Sequence, residues 1–368
     1  MRIAFHLNCL EQGGAERVVS NLANQFAKEG NEVFVATEWY GEDEYVLDEA
    51  VHRVHVGISS EDEGKNRLYL YNKRVKNLRQ FIKREELDVL IAFAQSANYR
   101  SLKAAHGTGC PVCVCVRSNP YKNYSSWKSQ LQIKALFPRA TGFVFQTEMQ
   151  RDFFPEYVRK KSTVILNPIH SKYIDEPISV ERRKVVVHSG RLVDFKNQDV
   201  LIDAFEMVHQ KHPDYVLEIY GPDSFDGTKE LLEAKIKEYN AYNYVKLMGG
   251  SNQLEKDLKD GAVYAFSSEE EGMPNALMEA MALKLPVVAT DCPCGGPATI
   301  IQDKKNGMLV PIKQPQKLAD AICYMIEHPQ EAEQMAIEAG KLGEIANAQA
   351  VYTQWKSYID RMCRKQED

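Results

Sequence analysis

Nine residues from Ser189 to Asn197 follow a short apolar run and hold two cations five positions apart, Arg191 and Lys196. A planar guanidinium and a point-like ammonium converging from one loop suit a diphosphate. Gly190 beside them lets the backbone approach a ligand closely. A solvated loop with two ordinary surface cations is the competing explanation. A second segment, Ser267 to Glu279, sets Glu269, Glu270 and Glu271 between an apolar run and an amphipathic stretch. Three acids in a row need solvent or hydrogen-bond donors, and Glu271 at the junction is placed to accept from sugar-like hydroxyls. Backbone from Gly272 through Met273, Pro274 and Asn275 to Ala276 opens a helix, and helix N-termini favour anions. Glu279 follows Glu271 by eight residues, about two turns into that helix at roughly 1.5 Å per residue. That offset suits one carboxylate near a sugar and another near a ribose. An acidic complement to a helix dipole explains the same residues blandly. A third element, Gly13-Gly14-Ala15, lies between a strand and a helix, where its amides face a phosphate or serve only a tight turn. Its spacing fails the dinucleotide fingerprint.

These loops need strands and helices to hold them. Arg2–Cys9, Glu32–Thr37, Val89–Phe93, Val112–Val116 and Thr141–Phe145 read as buried strands with helical stretches between them, the first helix spanning Ala15–Glu29. Alternation resumes at Lys184–His188 and runs through Gln198–His212, Tyr215–Tyr220, Thr228–Asn240, Tyr244–Met248, Ala262–Ser267, Asn275–Leu283 and Pro286–Thr290. Such alternation predicts α/β architecture, with parallel sheets covered on both faces. The 368 residues suit two domains. We expect residues 1–170 as a first Rossmann-like domain and 171–183 as a linker. Residues 184–345 form a second Rossmann-like domain, and a C-terminal helix over 346–368 crosses back to the first. Open parallel sheets bind ligands at the carboxyl ends of their strands, where all three motifs fall.

Composition narrows the classes. Hydrophobic content of 44% and charged content of 26% are those of a globular protein, and no apolar run is long enough to span a bilayer. Neither a signal peptide nor a zinc framework is expected. Cys110 and Cys113 lack a second pair, and the eight cysteines read as thiols in a reducing cytoplasm. Residues 1–170 carry 23 basic and 19 acidic residues, the remainder 23 and 32. Val89 to Thr147 holds no acid, and Lys65 to Arg84 holds eight cations and no acid. This basic half implies an anionic partner. With Tyr121, Lys122, Tyr124, Trp127 and Lys128, the stretch Arg67–Arg84 suits an anionic membrane surface, or else a helix packing its apolar stripe on the sheet. Nucleic acid is not expected, because the chain is acidic overall and no binding motif accompanies the patch.

Taken together, the Gly-Gly loop, Gly-Arg-Leu-x3-Lys-Asn at 190–197 and Glu-x7-Glu at 271–279 resemble family 4 of the retaining glycosyltransferases. Ala280-Met281-Ala282, Pro286-Val-Val-Ala-Thr-Asp291 and Asn306-Gly-Met-Leu-Val310 extend the resemblance over essentially the whole chain. Members that build bacterial capsule, exopolysaccharide or lipid-linked oligosaccharides are the most similar. The resemblance implies the GT-B fold, two doubly wound domains with a cleft between them. It implies a nucleotide-sugar donor, with UDP favoured, and transfer of a hexose or N-acetylhexosamine to a glycan or polyprenyl-diphosphate-linked acceptor. Arg191 and Lys196 would hold the diphosphate, Glu271 and the following backbone the sugar, Glu279 the ribose, and Gly14 the diphosphate from the opposite domain. Arg117, in Arg117-Ser-Asn-Pro120, would contact acceptor or donor. Neither cofactor nor metal is expected, since cations and helix amides replace the ion, and Glu42-Asp43-Glu44 and Glu61-Asp62-Glu63 read as solvated loops. A cytoplasmic enzyme, peripheral at the inner face of the membrane, follows. An epimerase or hydrolase on the same scaffold, or a non-catalytic nucleotide-sugar-binding subunit, are the rival readings. Two departures stand out: Lys284 where glycine commonly ends the signature helix, and Thr299 where an acid often follows Gly-Gly-Pro.

Overall fold

Continuous runs of Val, Ile, Ala and Phe with no polar alternation demand strands buried on both faces, and two parallel sheets result. The structure is a computed structural model describing residues 1–11, 13–177 and 181–364. It divides into Met1–Pro168 with Ala348–Asp368, and Ile169–Asn347. In the first unit β1 (Arg2–Leu7), β2 (Glu32–Thr37), β3 (Val51–His55), β4 (Val89–Phe93), β5 (Val112–Cys115), β6 (Gly142–Phe145) and β7 (Ser162–Val164) pair in the order β3-β2-β1-β4-β5-β6-β7. The second holds β8 (Arg183–Ser189), β9 (Val216–Tyr220), β10 (Val245–Gly249), β11 (Gly261–Phe266), β12 (Val287–Asp291) and β13 (Met308–Pro311), ordered β10-β9-β8-β11-β12-β13. Every pairing is parallel. In each sheet the strand order reverses once, between β1 and β4 and between β8 and β11. Such switch points open a crevice at the carboxyl ends of the strands.

The C-terminal helix Ala348–Arg364 belongs to the first unit. Val351, Tyr352, Trp355, Tyr358 and Ile359 join the core formed by Phe5, Phe26 and Phe93. Tyr358 Oη accepts from the Phe143 amide at 2.8 Å. Gly142 makes room for it, because a Cβ there would lie 2.4 Å from Tyr358 Oη. Residues 365–368 of the expected helix lie outside the described residues.

The expected linker over 171–183 is instead largely built into the second unit. Ser171–Ile174 is helical, Lys172 pairs with Glu255 at 2.8 Å, and Lys259 pairs with Glu176 at 2.6 Å. Arg182 binds the Lys259 and Lys284 carbonyls at 2.9 and 2.8 Å. Residues 178–180 lie outside the described residues. The polar, proline-bearing composition reads as linker, whereas its charges are satisfied by the domain that follows.

Three further differences share this cause. Helix Arg67–Arg84 buries Leu78, Phe81 and Ile82 against the sheet, so its stripe is spent on the core and only Leu68 and Tyr69 stay exposed. Tyr124 is buried as well. Two acids expected in solvated loops are bound: Glu44 accepts from the Leu10 and Gly41 amides and from Arg53, and buried Asp62 accepts from Tyr69 Oη at 2.9 Å. No helix among the described residues is long and apolar enough to cross a membrane.

Candidate active site

β8 and β11 are neighbours at the switch point, so the loops leaving them meet. The first loop is pinned by its backbone: the Gly190 amide donates to Tyr220 O at 2.9 Å and the Leu192 amide to Pro222 O at 3.0 Å. Gln198 Nε2 adds a bond to Arg191 O at 2.9 Å. This close approach requires Gly221, whose added Cβ would stand 1.9 Å from Gly190 O. A single 3-10 turn, Asp194–Lys196, ends at Asn197 with φ +49°, a left-handed value that asparagine tolerates. Helix Gln198–Lys211 starts there. Arg191 is exposed, with no side-chain partner among the described residues.

The second loop is stitched to the first. Ser267 Oγ donates to Lys196 O at 2.8 Å, and the Glu269 amide donates to Phe195 O at 2.8 Å. Lys196 Nζ and Glu271 Oε1 form an ion pair whose side chains are 14% and 13% exposed. The same Glu271 oxygen accepts from Ser268 Oγ at 3.0 Å. Ser268 is fixed in turn by Thr290 Oγ1, which donates to its carbonyl at 2.6 Å. The Lys196 ammonium also lies 5.6 Å from the Phe266 ring centroid. A cation and an acceptor are thus held side by side at the strand ends.

Beneath them the floor is neutral. His188 Nδ1 contacts Ala265 O at 2.9 Å. A carbonyl only accepts, so Nδ1 carries the proton and Nε2 the lone pair. Burial lowers the His188 pKa to about 4, with the Lys196 charge adding to it. Tyr264 meets Ser189 Oγ at 3.1 Å, and its phenol is raised by burial and by the charges of Glu279 and Glu271. Burial, then Glu271, pushes the Cys292 thiol up to about 12. None of these three groups ionises near neutrality, so the floor adds no formal charge to the Lys196–Glu271 pair above it.

Helix Asn275–Ala282 follows. Met273 and Pro274 are buried, while Gly272, Asn275 and Ala276 are partly exposed. Pro274 has no N–H to offer. The remaining amides of this turn are the donors, and the Met278 amide is already committed to Pro274 O at 3.0 Å. Gly296 packs against the turn, where a Cβ would meet Gly272 O at 2.5 Å. Glu279 is buried on the helix. Lys284, just past the helix where glycine is common, adopts a left-handed φ of +57°.

Comparison with known proteins places this geometry. Residues 171–342 match the model described as Glycosyl transferases group 1, and residues 12–173 match Glycosyltransferase Family 4. The chain belongs to the family 4-like GT-B glycosyltransferases. An uncharacterized glycosyltransferase of Haemophilus influenzae is 22% identical over 366 residues, 96% of this chain and 98% of that one. A Campylobacter jejuni enzyme is 25% identical over 84% of each chain. It is named GalNAc-alpha-(1->4)-GalNAc-alpha-(1->3)-diNAcBac-PP-undecaprenol alpha-1,4-N-acetyl-D-galactosaminyltransferase. Anabaena HepE, solved in complex with UDP, shares the fold with a TM-score of 0.84 at 21% identity, covering 98% of this chain and 100% of its own.

The remaining expected residues of this glycosyltransferase lie in the first unit. Gly14 is the exposed first residue of helix Gly14–Lys28, after an extended Gly13 at φ −133°. Asn8, on the loop leading to it, accepts from Arg100 Nη2 at 2.7 Å. Arg100 also pairs with Glu38, which pairs with Arg74 at 3.1 Å and lies 3.8 Å from His6 Nε2. Arg117 follows β5 and donates through Nη2 to Asn167 Oδ1. His6 is buried and bonded to Ser101, His106 is exposed, and His170 caps a short helix. Among the described residues one grouping has metal-ligand types in reach of each other: His212, Cys323 and Glu327, their ligand atoms within 4.8 Å. It includes none of the loop residues above. Sequence reasoning missed Ser267, Ser268, Thr290, His188 and Tyr264. The Ser-Ser pair closing an apolar run was the available signal, since buried hydroxyls there need partners.

Proposed function

We propose that this glycosyltransferase transfers a hexose or N-acetylhexosamine from a UDP-sugar to a glycan or lipid-linked acceptor, with retention of anomeric configuration and without a metal ion. The paired Lys196 and Glu271 carry the reading. In the empty site each neutralises the other. On donor binding the ammonium turns to the diphosphate, and the carboxylate accepts from sugar hydroxyls while keeping its Ser268 bond. Arg191, free to move, closes on the same diphosphate. The departing nucleoside diphosphate is then stabilised by fixed cations and helix amides, an electrostatic contribution that is often the largest in catalysis. Glu279 binds the ribose, and a donor phosphate oxygen takes the acceptor proton as it attacks the same face. The named UDP complex of HepE and the undecaprenol-linked acceptor of the Campylobacter enzyme favour this choice of donor and acceptor.

The deciding experiment follows the anomeric proton of the product by NMR, with and without EDTA. We expect the donor's configuration kept and the rate unchanged by the chelator. An inverted product, or activity abolished by EDTA and restored by Mn²⁺, removes the reading. Release of free sugar with acceptor absent, at the full rate, points to a hydrolase instead.

We also propose cytoplasmic residence and peripheral attachment to anionic membrane. Exposed Trp127, Leu131 and Tyr121 interleave with Lys122, Lys128 and Lys134 on the acid-free stretch, a composition suited to a lipid interface. Cosedimentation with anionic vesicles, weakened by salt and by Trp127→Ala, is expected. Equal recovery with neutral vesicles refutes it.

A further inference from the structure

Three side chains of the second unit converge at the amino end of β9, the opposite end of the sheet from the loops that carry Lys196 and Glu271. Helix Pro315–Glu327 packs along helix Gln198–Lys211, its Leu318, Ala321 and Ile322 sharing a core with Leu201, Phe205 and Val208. Where both helices finish, His212, Cys323 and Glu327 bring a ring nitrogen, a sulfur and a carboxylate oxygen within 4.8 Å of one another. Cys323 and Glu327 are four residues apart, so one helical turn sets them on the same face. His212 Nε2 lies 3.0 Å from Glu327 Oε1.

The group is anchored and reachable. The His212 amide donates to Val208 O at 2.8 Å, and the Tyr215 amide donates to His212 O at 3.1 Å. Tyr215 also meets the imidazole edge-on, with ring centroids 6.0 Å apart. Cys323 is a free, buried thiol, whereas the Glu327 side chain is 49% exposed, which leaves an entry path from solvent. Neighbouring groups are committed elsewhere. His328 Nδ1 contacts Tyr324 O at 2.9 Å, His209 stacks on Tyr244, and Asp320 accepts from Gln316.

Zinc binds sulfur at about 2.3 Å and nitrogen or oxygen at about 2.0–2.2 Å, so ligand atoms around one ion stand about 3.3–3.8 Å apart. The His212–Glu327 pair is near that spacing, and rotation of the half-exposed Glu327 side chain closes on the sulfur. A thiolate and an imidazole select a borderline-soft ion over Mg²⁺ or Mn²⁺.

We propose that His212, Cys323 and Glu327, with one water, bind a zinc-type divalent ion that clamps the ends of these two helices together. Coordination releases the Cys323 thiol proton to solvent. The role is structural: the 14 residues of helix Gln198–Lys211, about 21 Å at roughly 1.5 Å per residue, separate the site from Lys196. It stands independently of the glycosyltransferase reading. A surface His–Glu pair beside a core cysteine is the competing explanation, and it predicts no metal affinity.

The test titrates metal-free wild type, Cys323→Ser, His212→Gln, Glu327→Gln and Lys196→Met with Co²⁺, reading the near-ultraviolet thiolate-to-cobalt charge-transfer band, and then with Zn²⁺, reading Tm. One equivalent of Co²⁺ is expected to produce the band in wild type and in Lys196→Met, and Zn²⁺ to abolish it by displacement. Zn²⁺ at about 100 times its Kd raises the wild-type Tm by about 5–10 °C, and Mg²⁺ does not. Cys323→Ser loses both signals, while His212→Gln and Glu327→Gln weaken binding about tenfold or more. Glu327→Gln, at a half-exposed position, keeps the test decisive if a serine in the core disturbs folding. Below both melting points, kcat is the same with and without Zn²⁺. No band at one equivalent, a band that survives in Cys323→Ser, or a Tm unmoved by Zn²⁺ overturns the site, and a kcat that follows the ion overturns its structural role.

Discussion

Breaking the Lys196–Glu271 pair tests the active-site reading most directly. Lys196→Met keeps the length of the side chain and removes the charge. Side chains 14% and 13% exposed place this pair between two regimes. Solvent-exposed pairs contribute about 0–1 kcal/mol, while stranding one member of a buried pair costs about 3–5 kcal/mol. Residual exposure and the Ser268 hydroxyl on Glu271 discount the upper figure, giving about 1–3 kcal/mol. For a unit of this size, each 1 kcal/mol moves Tm by about 2–4 °C. In the double variant Lys196→Met, Glu271→Gln neither charge is stranded, so its stability recovers above that of the single Lys196 variant. Catalysis behaves otherwise. Removing one preorganised charge from the leaving group costs about 2.7–4 kcal/mol, or about 10²–10³ in kcat, and the double variant recovers none of it. Calorimetry and an assay of released nucleotide, run on the same four proteins, separate the two effects. Single-variant kcat/KM values within about threefold of wild type, or stabilities that add within about 0.5 kcal/mol, refute the coupling.

Other expectations follow from single positions. Gly221→Ala drives a methyl into the Gly190 carbonyl, 1.9 Å away; backbone cannot yield as a side chain does, so we expect at least about 1–3 kcal/mol lost and weaker donor binding in a thermal shift assay. Lys284→Gly relieves a left-handed φ of +57° and raises Tm by the equivalent of about 1 kcal/mol; an unchanged or lower Tm contradicts this. His188 is neutral in the fold and titrates normally when unfolded. As pH falls from about 6.5 to about 4, the unfolded chain takes up a proton that the native state refuses. Stability complete above pH 6.5 is lost across that window, up to about 3 kcal/mol. His188→Gln flattens this acid limb of a Tm-against-pH curve, and an unaltered slope refutes the assignment.

The two loops that meet at the ends of β8 and β11 were legible because their composition is local: cations, acids and glycines at strand ends mark a candidate site without knowledge of the rest. Strand β3 was not, since Val51-His52-Arg53-Val54-His55 is a polar edge with no continuous apolar run. Strand β7 has only three residues. Glu44 and Asp62 look solvated in sequence because their partners, such as Leu10 and Arg53 for Glu44, lie up to 34 residues away. Tyr358 and Phe143, 215 residues apart, mark the limit of local reading. The bland alternative for helix Arg67–Arg84 prevailed for the ordinary reason that burying Leu78, Phe81 and Ile82 against a sheet outweighs leaving them for a partner.

The returning C-terminal helix has a bearing on synthesis. Trp355, wholly enclosed against Phe93 and its neighbours, is translated after every strand of both units, yet it completes the unit that was made first. The middle of the chain has all its strands in hand earlier, so the order of maturation runs opposite to the order of translation. A nascent chain halted before Ala348 should display a finished second unit and an unsealed first one, vulnerable to protease at the groove that helix Ala348–Arg364 fills.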